Sequence, residues 1–265
     1  MSGELLFVKL GGSLITDKWQ EATPRLDLLE RLAGEVRAAL EARPDLRLLL
    51  GHGSGSFGHP EASRYGTQAG VRTPEAWVGF ARVGAAAARL NRLVVDTFLE
   101  AGVPVLSLQA SASALARGGL LQRLALEPVE RALEVGLVPL VFGDVAFDEA
   151  QGGTVLSTED LFVHLAAVLR PARVLLAGNA PGVLDDEHEV IPEITPESLP
   201  EVAAYLRGSR YVDVTGGMVD KVERMVGLVQ QVPGLRVRIF TGREPGNLRR
   251  AILDSESSLG TRIGG

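Results

Sequence analysis

Residues 4–13 read Glu4-Leu5-Leu6-Phe7-Val8-Lys9-Leu10-Gly11-Gly12-Ser13. An apolar run carrying one cation and closed by two glycines is the pattern of a strand covered on both faces that feeds a tight turn. The pattern recurs. Leu46–Leu50 is a short apolar run that enters Gly51-His52-Gly53-Ser54-Gly55-Ser56-Phe57-Gly58-His59. Further apolar runs at Val103–Leu108, Leu137–Phe142, Arg173–Ala177 and Leu235–Phe240 predict strands. Helical periodicity separates them at 27–41, 74–100, 127–135, 158–170, 196–206, 218–230 and 245–253, with Thr73 and Ser157 as N-caps. Strands alternating with helices predict an α/β fold whose mainly parallel sheet is covered on both faces. Asp144–Leu156 reads as a hairpin turning at 148–153, the best place to divide the chain into two lobes. The C-terminal tail reads as an edge strand.

The 265 residues carry a net charge of −6 and are 46% hydrophobic. That balance supports a large core and excludes disorder as the main state. No Lys/Arg-rich run suggests nucleic acid, and no apolar stretch reaches the ~18 residues of a membrane span. No signal-peptide pattern opens the chain, and the absence of cysteine excludes disulfides, thiolate catalysis and Cys-ligated metal. Together these features predict a cytoplasmic protein with no nucleic-acid or membrane partner.

Only three of the 27 basic residues are lysines: Lys9, Lys18 and Lys221. Each lies beside a glycine turn, and none lies on a plain amphipathic helix face. Glycine turns that lead into helices present backbone N–H groups and a positive dipole end to phosphate. Compact ammoniums beside them suit phosphoryl transfer, where catalysis is mostly charge stabilisation and alignment. Among the histidines, His59 at the end of the second glycine turn is placed to donate to a phosphate oxygen, and His52 reads as structural. Asp144 and Asp160 are the acids placed to orient lysines or to help hold magnesium, although Asp160 also suits a helix cap. Residues 53–58 match G-x-G-x-x-G, but the turn follows the second strand and Glu75, the nearest candidate for the ribose acid, opens a helix, so a dehydrogenase reading ranks last. No Walker A, H-E-x-x-H or G-x-S-x-G motif occurs.

Lys9-Leu10-Gly11-Gly12-Ser13, with Thr16 and Lys18, resembles the opening of the amino acid kinase superfamily. Gly51–His59 is similar to the GHGGGSFGH loop of isopentenyl phosphate kinases, with Ser54 replacing one glycine. Gly143-Asp144-Val145, Ser157–Asp160 and Asp213-Val214-Thr215-Gly216-Gly217-Met218 with Lys221 match later family motifs in order. The resemblance implies a three-layer αβα sandwich with an open, mainly parallel, continuous sheet. Residues 1–150 would bind the phosphate acceptor and dimerise, and residues 151–265 would bind Mg-ATP, with no metal ligand assigned to the protein. Isopentenyl phosphate and ATP would give isopentenyl diphosphate and ADP.

In this scheme Lys9 and Lys221 stabilise the γ-phosphoryl group, Lys18 assists near the β- and γ-phosphates, and Asp160 orients the lysines. His59 donates to the acceptor phosphate, which the amides of Gly53, Ser54 and Gly58 cradle, with Thr158 on the acceptor side. Gly11, Gly12, Ser13, Ser54, Asn179 and Gly217 join Lys9 and Lys221 around ATP. The resemblance also implies a homodimer. The small residues Gly84 and Ala85–Ala88 of the long helix are expected to leave room for the alkyl chain. Two departures stand out: Ser157-Thr158-Glu159-Asp160 replaces Ser-Gly-Asp-Asp, and Asn179 replaces an acid near the nucleotide. They keep open a phosphonate kinase similar to fosfomycin kinase, a kinase for another monophosphate, and a non-catalytic nucleotide sensor.

Overall fold

The six residues of β1 (Leu5–Leu10) are all buried in the computed structural model, which describes residues 3–208 and 217–264. Their alternation sorts them onto two faces. Leu6, Val8 and Leu10 join one core, whereas Leu5 and Phe7 join the other, and the same parity sends Lys9 to the second face. A single helical turn, α1 (Gly12–Ile15), follows, and then the amphipathic α2 (Leu26–Ala42). The second strand β2 (Arg47–His52) leads into α3 (Gly55–Tyr65), and Thr73 caps the long α4 (Pro74–Glu100) by accepting from the Ala76 N–H. Next come β3 (Val105–Ser107), β4 (Leu115–Arg117), β5 (Leu120–Arg123), α5 (Glu127–Glu134) and β6 (Val138–Phe142).

The hairpin of β7 (Asp144–Asp148) and β8 (Gly152–Leu156) leads into α6 (Thr158–Leu169) and β9 (Arg173–Gly178). The chain ends with β10 (Glu193–Ile194), α7 (Leu199–Gly208), α8 (Gly217–Gln231), β11 (Arg236–Thr241), α9 (Asn247–Leu253) and β12 (Thr261–Ile263).

Eight strands form one sheet in the order β10-β12-β11-β9-β1-β2-β6-β3. All pairings are parallel except β11 with β12. Helices α2, α4 and α9 cover one face, and α5, α6 and α8 cover the other. The amino acid kinase expectation of an αβα sandwich is met. β1 pairs with β2 on one side and β9 on the other, so the strand order reverses there. Such a switch point opens a crevice at the strands' carboxyl ends, where ligands of open α/β sheets bind. The glycine turns stand at that crevice.

Three features differ from the sequence reading. A second sheet, β5-β4-β7-β8, stands apart from the main one; β4 and β5 are too short to show a period. The tail strand β12 lies inside the sheet, between β10 and β11, because two residues of the polar segment after β9 pair outside it. Residues 55–65, rich in Gly and Ser and containing Pro60, form a helix instead of a loop. Packing against α4 overrides their weak helical propensity. Of the motif at 213–218, residues 213–216 fall outside the described residues.

Candidate active site

Close approach of two backbones explains the glycines first. A Cβ on Gly12 would lie 2.4 Å from the Gly55 nitrogen, and one on Gly55, whose φ is +47°, would lie 2.2 Å from Thr16 Oγ1. The turns after β1 and β2 therefore touch, and only glycine fits at both places. Thr16 Oγ1 accepts from Ser56 N at 3.0 Å and so fixes α1 against α3. Ser54 stands at φ −79°, so its substitution for glycine carries no backbone strain.

Hydrogen bonding decides which amides remain for a ligand. The N–H groups of Gly11, Gly53 and Gly58 donate to Ala177 O, Leu10 O and Ser54 O, respectively. They are committed to the fold, which corrects the expectation that the Gly53 and Gly58 amides cradle phosphate; Gly11, expected around ATP, already donates its N–H to Ala177 O. Among the described hydrogen bonds, the N–H groups of Gly12, Ser13, Ser54 and Gly55 have no protein acceptor. These four donors open two helices side by side, an arrangement suited to phosphate oxygens.

Beside them lies a buried charge cluster. Lys9, 8% exposed, pairs with Glu159, the second residue of α6. Burial alone would raise the Glu159 carboxyl, but the Lys9 and Lys221 ammoniums outweigh it and hold it down to about 2. Lys221 reaches this field from the second turn of α8, which Gly217 opens. The carboxylate between the lysines is thus Glu159, not Asp160. Asp160 completes a capping box with Ser157 and pairs with Arg224 on α8. The sequence offers both a cap and a site role for the acid at 160; the capping box commits it to the helix end and leaves the one at 159 for the site.

Other expected residues sit elsewhere. Thr158, 1% exposed, donates to His52 O at 2.6 Å and cannot touch an acceptor; it ties α6 to β2. Asp144 is fully buried and accepts from the Ser111 and Val145 amides, away from the lysines. Lys18 is exposed, its ammonium 4.7 Å above the ring of Trp19. His59 is exposed on α3. Asn179 donates to Ser13 O at 2.8 Å and accepts from Thr241 Oγ1, joining the first glycine turn to the ends of β9 and β11; its Oδ1 is buried without a partner. Gly84 does not leave room: a Cβ there would come within 3.1 Å of Val145 Cγ2, so the small residue serves close packing of α4 on β7. Among the described residues no group of three His, Asp or Glu side chains could hold a metal ion.

Acid should destabilise this arrangement in two stages. Burial lowers His52 to about 4, so the folded protein resists protonation that the unfolded chain accepts below about 6.5. Its contribution, roughly 3 kcal/mol in full, is present above pH 6.5 and lost as pH falls towards 4. Glu159 and Asp148 are held low, Asp148 against its burial by the N–H groups of Gly119, Gly118, Ala150 and Gln151. Their contributions are present above about 4.5 and are lost as pH falls further. Urea midpoints measured from pH 8 to 3 should therefore decline in both ranges; a flat profile between 6.5 and 4.5 would exclude a neutral buried His52.

Residues 4–241 match the model of the amino acid kinase family. An isopentenyl phosphate kinase of Methanothermobacter thermautotrophicus is 34% identical over 273 residues, covering 98% of this chain and 99% of that protein. One of Haloferax volcanii is 39% identical over 225 residues, covering 84% of this chain and 88% of that protein. A crystallographic isopentenyl phosphate kinase superposes with a TM-score of 0.82 at 31% identity, covering 98% of this chain and 100% of that one. The chain therefore belongs to the amino acid kinase family, in which these full-length relatives are isopentenyl phosphate kinases.

Proposed function

We propose that this protein transfers the γ-phosphoryl group of ATP to isopentenyl phosphate. The observation that carries this reading is the buried Lys9–Glu159 pair, within the field of Lys221, beside four open amides at the switch point of the sheet. An acceptor phosphate oxygen attacks the γ-phosphorus, the bond to the β-phosphate oxygen breaks, and ADP leaves with the electron pair. The products are isopentenyl diphosphate and ADP. No side chain need form a covalent bond; the lysines offset charge on the transferring oxygens, and Glu159 keeps both ammoniums aimed. The amides of Gly12 and Ser13 suit the nucleotide phosphates, and those of Ser54 and Gly55 suit the acceptor. The nucleotide enters as Mg-ATP, so the divalent ion is part of the substrate.

The division of labour follows the two lobes, residues 1–150 for the acceptor and 151–265 for the nucleotide, with the Gly12–Ser13 turn of the first lobe reaching the nucleotide phosphates, in a cytoplasmic homodimer. The exposed Leu106 on the edge strand β3 supports self-association; light scattering at twice the 28.1 kDa chain mass checks it. Lys18 and His59 act from exposed positions that border the glycine turns, and ligand draws them in. His59→Ala should raise KM for the monophosphate by ~10-fold or more, the cost of one charge-assisted hydrogen bond, and leave ATP affinity unchanged. An equal loss of ATP affinity would contradict the acceptor role. Phosphorus NMR of the protein with Mg-ATP and isopentenyl phosphate tests the whole reading. New diphosphate resonances together with ADP are expected, and ATP left intact would sink it. Because the Thr158 hydroxyl is spent on His52, that departure gives no support to a different acceptor.

A further inference from the structure

His52 ends β2, and its parity directs it to the face opposite Lys9, towards α4. Its ring is fully enclosed and stacked on Phe142, with centroids 5.4 Å apart and planes 4° from parallel. Nδ1 lies 3.1 Å from the carbonyl oxygen of Gly53, and Nε2 lies 3.2 Å from Oδ1 of Asn91. The Asn91 amide reaches on to Ser107 Oγ at 2.7 Å. A neutral imidazole has one N–H, and a carbonyl can only accept. Nδ1–H therefore donates to Gly53, and Nε2 accepts. Turning the Asn91 amide by 180°, which leaves its shape unchanged, gives Nε2 a donor and lets Ser107 donate to the amide oxygen. All three groups are then satisfied.

The bond to Gly53 O has a consequence on the other side of the same peptide. No cis peptide occurs among the described residues, and in a trans peptide C=O and N–H point in opposite directions. Holding Gly53 O against the imidazole turns the Ser54 N–H the other way, and that N–H has no acceptor among the described hydrogen bonds. Gly53 lacks a Cβ and leaves its own ψ free, so besides the strain of turning Ser54 from φ −79° to positive φ, the imidazole bond is what holds this peptide. A flip would replace the donor with a carbonyl that repels phosphate.

We propose that His52, oriented by Asn91, is a positioning residue that locks the Gly53–Ser54 peptide so that the Ser54 N–H faces the acceptor phosphate. The role rests on the reading of this turn as the seat of that phosphate. His52→Asn retains a donor near the Nδ1 position, whereas His52→Gln moves it out to the Nε2 position. Both variants lose the ring and its stacking, and Asn, one methylene shorter, leaves the larger void, so packing alone would impair His52→Asn the more. The expected result is the reverse order at the acceptor: a KM for isopentenyl phosphate at least ~10-fold higher in His52→Gln than in His52→Asn, with a melting temperature no lower in His52→Gln and equal KM for ATP. In amide NMR, inorganic phosphate should move the Ser54 proton downfield in the wild type and in His52→Asn but not in His52→Gln.

Equal acceptor KM in the two variants, or a Ser54 shift that survives in His52→Gln, overturns the proposal. If the wild type turns over no isopentenyl phosphate, the substrate reading fails, and the Ser54 response to inorganic phosphate still decides the part played by His52. Should either His52 variant not fold, Asn91→Leu frees the ring: a higher acceptor KM supports the proposal and an unchanged one overturns it.

Discussion

Lys221→Ala is expected to lower kcat by at least ~100-fold, the scale of losing one preorganised transition-state contact. Lys221 comes from the second turn of α8 and, with Lys9, holds the Glu159 carboxyl down. Its removal leaves Glu159 paired with Lys9, a neutral pair in place of a net positive cluster, so the fold should hold. The loss should therefore appear in kcat, with melting temperature little changed. Lys221→Arg should not restore the rate, because a planar guanidinium does not replace a compact ammonium at a crowded phosphoryl oxygen. Coupled detection of ADP release under saturating substrates measures the effect, and an unchanged kcat would remove Lys221 from the mechanism.

Glu159→Gln is expected to affect both rate and stability. The substitution leaves Lys9 buried beside a second cation without a counter-charge, at a cost of ~3–5 kcal/mol. It also releases both ammoniums from the reacting oxygens, so kcat should fall by ~100-fold or more. Glu159→Asp retains the charge and should recover most of the rate. The contrast with its neighbour is diagnostic. Asp160→Asn weakens a helix cap and an exposed pair with Arg224, worth ~1 kcal/mol, and should leave kcat within a few-fold. Denaturation midpoints and kcat for the three variants, measured side by side, separate the acid that orients lysines from the acid that caps a helix. A large rate loss in Asp160→Asn with an active Glu159→Gln would reverse the assignment.

Local pattern made most of the architecture legible. The long apolar strands, the capped α4 and the β7–β8 hairpin need only period and turn chemistry, and they fall where the sequence places them. The weak elements were not legible. α3 forms against its own composition, and the two-residue β10 pairs only because β12 is there to receive it. In the site, rarity and position point to Lys9 and Lys221, which the structure brings to bear on one carboxylate, but the function of each glycine is not legible. Gly53 and Gly58 fit a phosphate loop as text, and only the hydrogen-bond map shows that their amides already serve the fold.

The sequence by itself determined the fold class, the paired glycine turns and the three lysines beside them, because each is written in a few consecutive residues. The tertiary structure decided which groups those turns leave open to a ligand, and which carboxylate answers the lysines. Both depend on contacts between separate elements: the Gly11 N–H meets Ala177 O, the Gly53 N–H meets Leu10 O, and Lys9 meets Glu159. The face of β1 on which Lys9 emerges meets α6 because of how the chain crosses the sheet, and Glu159 is carried there on that helix. His52 leaves β2 on the opposite face and finds Asn91 for the same reason. No local period encodes those meetings, since they are set by strand order and helix crossover.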